Sequence, residues 1–188
     1  MVLKTVLSGK TYAFRDLKEV LAKANEEKTG DKLAGLAAGL SQERVAAKVV
    51  LSAVTLHDLR ENPAVPYEED EVTRIIQDDL NIPVYESIRN WTVSDLREWI
   101  LSENTTGADI RKLSRGLTSE MVAAVCKLMT NLDLIYAANK IPVTAHCNTT
   151  IGLKGTLSCR LQPNHTTDDP DGITASVLEG LSFGGATQ

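Results

Sequence analysis

Residues 156–182 read TLSCRLQPNHTTDDPDGITASVLEGLS, and the division of this stretch decides the fold class. TLSCRLQ continues a run rich in β-branched residues and glycine, PVTAHCNTTIGLKG, and reads as strand after turn. PNHTTDDPDG is a loop, since proline, glycine and short polar side chains favour turns. Residues 172–182, GITASVLEGLS, read as a helix. Strand, loop and helix make one βα unit, which cannot bury both faces of a sheet alone; a parallel sheet needs several.

Upstream of this stretch the chain reads as helix. Thr118 is placed to cap the longest helix, with Val122, Val125, Met129, Leu132 and Tyr136 along one apolar face until Ile141-Pro142 ends it. That stripe reads as core or subunit interface. Short helices precede it at Val84–Trp91 and Ser94–Leu101, with Trp91 and Trp99 as core anchors. The run Glu68-Glu69-Asp70-Glu71 suits the first turn of a helix carrying Val72, Ile75, Ile76 and Leu80, because the helix dipole favours negative charge there. Asn62-Pro63 and Pro66 mark a loop before it. Ser41 opens a further helix, with Val45, Val49, Ala53 and Leu56 expected inward. Residues 33–40, LAGLAAGL, are small enough to permit close backbone packing. Asp16 and Glu19 are spaced as a capping box ahead of Leu17, Val20, Leu21 and Ala24. Residues 2–14 read as a small β-hairpin, VLKTVL and TYAF, broken at Ser8-Gly9. The expected architecture is mainly α with a small N-terminal β-hairpin: a mostly helical region over 1–140, then the start of another domain over 141–188.

Composition narrows the function classes. With 43% hydrophobic residues and a net charge of −5, the chain is globular rather than disordered. A pI near 5.3 and the lack of any basic run argue against nucleic acid as a partner. No apolar run approaches the ~18 residues of a membrane span, and Lys4 and Lys10 interrupt any secretory signal, so no membrane is expected. Cys126, Cys147 and Cys159 are odd in number and widely spaced, which suggests reduced thiols and a cytoplasmic address. Asp168, Asp169, Asp171 and Gly172 look like half of a calcium loop but lack its later ligands, and read as a loop leading into a helix. His146, Cys147, Cys159 and His165 match no structural zinc spacing.

Six segments carry more information together than apart: DLKEVLAKANE at 16–26, SQERVAAKVVLS at 41–52, NPAVPYEEDEVTRIIQDD at 62–79, GLTSEMVAAVCKL at 116–128, NTTIGLKGTLSCRLQPN at 148–164 and EGLSFG at 179–184. In this order they resemble the heavy (large) subunit of ethanolamine ammonia-lyase, from Leu3 to Gly184. The resemblance implies a carbon–nitrogen lyase that converts ethanolamine to acetaldehyde and ammonia by a radical mechanism begun at the cobalt–carbon bond of adenosylcobalamin. It implies a (β/α)8 TIM barrel, a light (small) subunit as partner, a heavy-subunit homo-oligomer, and a bacterial microcompartment as the address. TLSCRLQ would be the first barrel strand, and 141–188 the start of an incomplete barrel.

Two positions of the family's substrate site fall in that strand. Arg160 matches an arginine that hydrogen-bonds the substrate hydroxyl, and Gln162 a glutamine near the amino group. Residues i and i+2 of a strand share a face, so both would point into one cavity while Leu161 points away. A guanidinium is a fixed donor for the hydroxyl oxygen, and a carboxamide offers donor and acceptor without adding charge beside an ammonium. The family's remaining substrate ligands, an asparagine and two carboxylates, and most cofactor contacts lie further along its barrel. After EGLSFG this chain reads Gly185-Ala186-Thr187-Gln188 and ends, so it is expected to be a shortened chain, inactive by itself. The alternative reading is a non-catalytic helical assembly module that binds the lyase subunits.

Overall fold

Residues 3–146, 150–155 and 161–184 are described in a computed structural model. They fall into two compact units, Met1–Lys140 and Ile141–Gln188.

The first unit opens on the expected hairpin. Lys4–Leu7 (β1) pairs antiparallel with Lys10–Ala13 (β2), Leu7 opposite Lys10. Ser8 and Gly9 join them at φ 50° and 76°, the doubly left-handed turn whose twist matches paired strands. Tyr12 and Phe14 leave this hairpin for the core. Asp16 then caps Leu17–Lys23 (α1), its carboxylate accepting the Glu19 N–H at 2.8 Å. The capping box closes one residue early, because Glu19 accepts from the Arg15 N–H at 2.7 Å rather than from Asp16. Leu17, Val20 and Ala24 are buried as expected, with Leu21 half-buried.

The glycine-interrupted segment behaves differently from its expectation. After Thr29–Leu33 (α2), Leu36 and Leu40 stay exposed and a Cβ on Gly35 would meet nothing within 4 Å. Ala34 and Gly39 are exposed as well, and only Ala37 and Ala38 of its small residues are half-buried. Ser41–Ser52 (α3) is also turned from its expected face. Val45 and Val49 are 46% and 45% exposed, whereas Ala46, Ala47, Val50 and Leu51 are buried. The cause is crowding: α3 touches α1, β1 and two later helices, and two alanines let those neighbours approach where two valines would hold them off.

Leu56–Glu61 (α4), Glu71–Asp78 (α5), Ile82–Ile88 (α6), Val93–Leu101 (α7) and Gly107–Ser114 (α8) follow. The starts of α4 and α7 lie side by side, with Leu56 N–H donating to the Trp91 carbonyl and Val93 N–H to the Val54 carbonyl, each at 2.9 Å. Helix α5 starts at Glu71 behind its cap Asp70, so only one residue of the acidic run lies in its first turn. It buries none of its residues; Val72 and Ile75 are exposed, and Leu80, past its end, is the buried one.

The long helix expected from Thr118 to Lys140 is two helices, Ser119–Leu128 (α9) and Asn131–Lys140 (α10). Met129 is extended at ψ 143°, and Thr130 exchanges hydrogen bonds with Asp133, N–H to carboxylate at 2.9 Å and N–H to hydroxyl at 3.2 Å. A new cap thus interrupts a continuous apolar period. Met121, Ala124 and Val125 face inward, while Val122, Leu132 and Tyr136 are exposed.

Tyr85, Leu51, Leu56, Leu59, Ile88 and Leu96 are among the largest fully buried side chains. Each of the leucines and the isoleucine contributes about 1.5–3 kcal/mol of transfer free energy. Trp91 and Trp99 lie against this core with ring centroids 5.9 Å apart and planes tilted by 58°.

In the second unit, Ala145–His146 (β3) pairs antiparallel with Thr150–Ile151 (β4), and Pro170–Ser182 (α11) is its helix. Of the expected strand, residues 156–160 lie outside the described residues; Leu161 and Gln162 are in neither strand nor helix. Among the described residues no helix is long and apolar enough to cross a membrane.

Candidate functional site

Arg160, Cys147 and Cys159 lie outside the described residues. Gln162 is described, and its carboxamide is exposed. The geometry around it comes from the side chains on either side of it in the chain. Leu161 is half-buried and seated on α11: a Cβ added at Gly180 would lie 2.4 Å from its Cδ1 and 2.6 Å from its Cδ2. His165 is seated two helical turns earlier, where a Cβ at Gly172 would lie 2.6 Å from its Cδ2 and 2.8 Å from its Nε2. Gln162 lies between these two anchored residues with an uncharged donor and acceptor turned to solvent.

The loop that follows is held by short-range bonds. The His165 Nδ1 lies 2.9 Å from the Thr167 hydroxyl, and the Asp168 N–H donates to the His165 carbonyl at 3.1 Å. Asp168 takes a left-handed φ of 52°, and Asp169 then caps α11 by accepting the Gly172 N–H at 2.9 Å. The aspartates are thus used in ending the loop and starting the helix. His146 bonds the Thr150 hydroxyl at 3.0 Å, so each histidine of this unit has a threonine partner. Among the described residues no three His, Cys, Asp or Glu side chains converge as a metal site would require.

The first unit contains a cleft of about 750 Å³ beside the end of α4, with Asp16, Glu61, Glu68 and Asp78 against Lys18 and Arg60 among its charged lining residues. The Arg60 guanidinium stacks 4.8 Å above the Tyr85 ring, and the Tyr85 hydroxyl lies 3.2 Å from His57 Nδ1. Burial pushes the Tyr85 hydroxyl above the ordinary phenol range, against the opposing pull of Arg60. Gln77 donates to the Arg60 carbonyl at 3.2 Å, and the Tyr67 hydroxyl donates to Asp78 at 3.1 Å. These contacts tie α4, α5 and α6 together, while the Arg60 Nε is buried without a hydrogen-bond partner.

Residues 12–187 match the family described as ethanolamine ammonia lyase large subunit (EutB). The chain belongs to that family. It is 59% identical over 184 residues to the ethanolamine ammonia-lyase large subunit of Salmonella typhimurium strain LT2, and 59% identical over 184 residues to that of Escherichia coli strain K12. Each alignment takes in 98% of this chain and 41% of the relative, so the chain spans about two-fifths of the length of these curated relatives.

Two features of this ethanolamine ammonia-lyase family chain escaped the sequence reading. Gly172 and Gly180 lie in what reads as an ordinary helix, and nothing local announces the side chains seated on them. The other feature had a signal: Thr55-x-x-Asp58, Thr92-x-x-Asp95, Thr106-x-x-Asp109 and Thr130-x-x-Asp133 each repeat the spacing of a helix start. The first three form full capping boxes, and the fourth makes the same reciprocal pair.

Proposed function

We propose that this chain forms part of the large subunit of an adenosylcobalamin-dependent ethanolamine ammonia-lyase, which converts ethanolamine to acetaldehyde and ammonia. The family match over residues 12–187 carries the reading. Within it, residues 156–182 are the first βα unit of a (β/α)8 barrel. The seating of Leu161 on α11 supports this, because a barrel strand turns alternate residues outward onto the helix that follows and inward to the substrate.

Arg160 and Gln162 then bind the substrate from the inward face. The guanidinium of Arg160 donates to the hydroxyl oxygen. The Gln162 amide oxygen accepts from the ammonium and leaves the site's charge unchanged. A guanidinium has no acceptor and repels an ammonium, so the pair fixes which end of ethanolamine faces which residue.

Adenosylcobalamin would supply the radical chemistry, and the described residues do not fit it. The cleft beside the end of α4, about 750 Å³, is lined by Asp16, Glu61, Glu68 and Asp78, a strongly anionic wall unlike the neutral amide and apolar surroundings that would suit a corrin. No step is therefore assigned to a cofactor contact in this chain. Its partners are ethanolamine, the light (small) subunit and further heavy subunits in a homo-oligomer, with a bacterial microcompartment as its address.

A second reading, a non-catalytic helical assembly module, is favoured by one observation. Val45, Val49, Val72, Ile75, Leu132 and Ile135 are all exposed apolar side chains on the first unit. The test is ethanolamine deamination by the chain with adenosylcobalamin and the light subunit, with and without the remaining length of a curated relative supplied as a second polypeptide. Acetaldehyde that requires this chain, and that falls by about 100-fold or more in kcat/KM with Arg160→Ala or Gln162→Ala, supports the lyase reading. Turnover indifferent to both substitutions sinks the assignment of the site, and subunit binding without any turnover favours the module.

A further inference from the structure

We infer that Gly180 and Gly172 are positioning residues: two gaps in the surface of α11 that hold Leu161 and His165 and so set the direction of Gln162. The inference deepens the reading of Gln162 as a substrate ligand and rests on it.

Glycine inside a helix needs a reason, since it is the poorest helix former after proline. Neither glycine has a positive φ, so backbone freedom is not the reason. Space is. At both positions an added Cβ would come closer than 3.0 Å to a side chain of the segment before the helix: Leu161 at Gly180 and the imidazole of His165 at Gly172. The two glycines are eight residues apart on α11, about two turns, while Leu161 and His165 are four residues apart in the segment before it. Four residues reach up to roughly 13 Å, enough to cover the roughly 12 Å between the two glycines. Segment 161–165 therefore runs along α11 and is fixed at both ends. Gln162 is the residue after the first anchor, and it is exposed while Leu161 is half-buried against the helix.

A methyl group at Gly180 would force the Leu161 Cδ atoms out of their seat, and on this inference the neighbouring Gln162 moves with them. Gly172→Ala would act from the far end, through His165. Because the obstruction at Gly180 comes from the two Cδ atoms, removing them should restore the seat, and Leu161→Ala does so.

The experiment is NMR on the full chain, reading the Gln162 side-chain amide pair, with amide exchange along α11 as a second readout. Gly180→Ala is expected to shift the Gln162 amide pair and speed exchange in α11 by about tenfold. Gly180→Ala/Leu161→Ala is expected to return both most of the way. A Gln162 signal unmoved by Gly180→Ala overturns the inference, as does a double variant no closer to wild type than the single one. The two readings separate in the deamination assay. If the Gln162 signal responds as expected but Gln162→Ala leaves turnover unchanged, the positioning holds and the substrate role falls.

Discussion

Gly116→Ala, in the turn between α8 and α9, puts the packing of the first unit to the test. The added Cβ would lie 2.7 Å from the Tyr85 nitrogen, 2.8 Å from Val84 Cγ1 and 2.9 Å from the Val84 carbonyl carbon. Comfortable heavy-atom contacts begin near 3.5 Å, so the first turn of α6 must retreat by about 0.6–0.8 Å. It has little freedom to do so. Asn81 N–H donates to the Arg115 carbonyl at 2.9 Å, pinning the start of α6 to the residue before the glycine. Tyr85 N–H donates to the Asn81 carbonyl at 2.9 Å, and the Tyr85 ring is 1% exposed beneath Arg60. Overpacking of this kind costs about 1–3 kcal/mol. Restricting the unfolded chain returns about 0.4–1 kcal/mol, because Gly116 has no positive φ that alanine would resist. The net expectation is a loss of about 1–2 kcal/mol, or roughly 2–8 °C in melting temperature for a chain of this size. Urea unfolding followed by tryptophan fluorescence measures it. Gly30→Ala is the control: it lies in α2 with nothing within 4 Å of its Cβ and should be neutral or stabilising. A Gly116→Ala midpoint at or above that of the wild type would refute the reasoning.

Three further outcomes follow from the same structure. Leu59→Ala, at a side chain 1% exposed, should cost about 2–5 kcal/mol, whereas Val45→Ala on the outer face of α3 should stay within about 0.5 kcal/mol; equal losses at the two sites would mean α3 is turned the other way. Thr55→Ala removes the hydroxyl that accepts the Asp58 N–H at 3.0 Å and should lower stability by about 0.5–2 kcal/mol, with Thr55→Ser restoring most of it. Acid should destabilise the chain through its helix caps. The Thr92 N–H lowers the Asp95 carboxyl, the Thr106 hydroxyl lowers Asp109, and Arg97 lowers Asp133. A carboxyl depressed in the folded state stabilises fully above its unfolded value of about 3.9 and loses that contribution as pH falls through the lower folded value. Urea midpoints should hold from pH 7 to about 5 and fall below about 4, with a shallower fall in an Asp95→Asn/Asp109→Asn variant; midpoints that rise on acidification would remove the caps from the account.

Local pattern determined the hairpin and α1, because each offered a single choice: Ser8-Gly9 is the only break between two short alternating runs, and Leu17, Val20 and Ala24 form the only apolar row of α1. Helix α3 offered two rows, one with Val45 and Val49 and one with Ala46, Ala47, Val50 and Leu51, and hydrophobicity alone does not choose between them. The fold selects the row containing Ala46 and Ala47, because several neighbours converge there and volume outweighs apolar area. That information lies in the partners, which no window of α3 contains. The break at Met129-Thr130 was half visible. Thr130-x-x-Asp133 is the spacing of a cap, yet the apolar period runs through it, and what secures the new start is Arg97 of α7, 2.8 Å from Asp133 and far away in sequence. The second unit shows the same division. Strand alternation alone sets Leu161 and Gln162 on opposite sides, and the structure seats Leu161 on the helix while leaving Gln162 exposed. Which helix position receives Leu161 is a tertiary fact: a glycine nineteen residues downstream becomes meaningful only once the side chain that fills its gap is known. Residues that would touch a substrate can be read from a short segment, while those that would aim them are legible only through contacts.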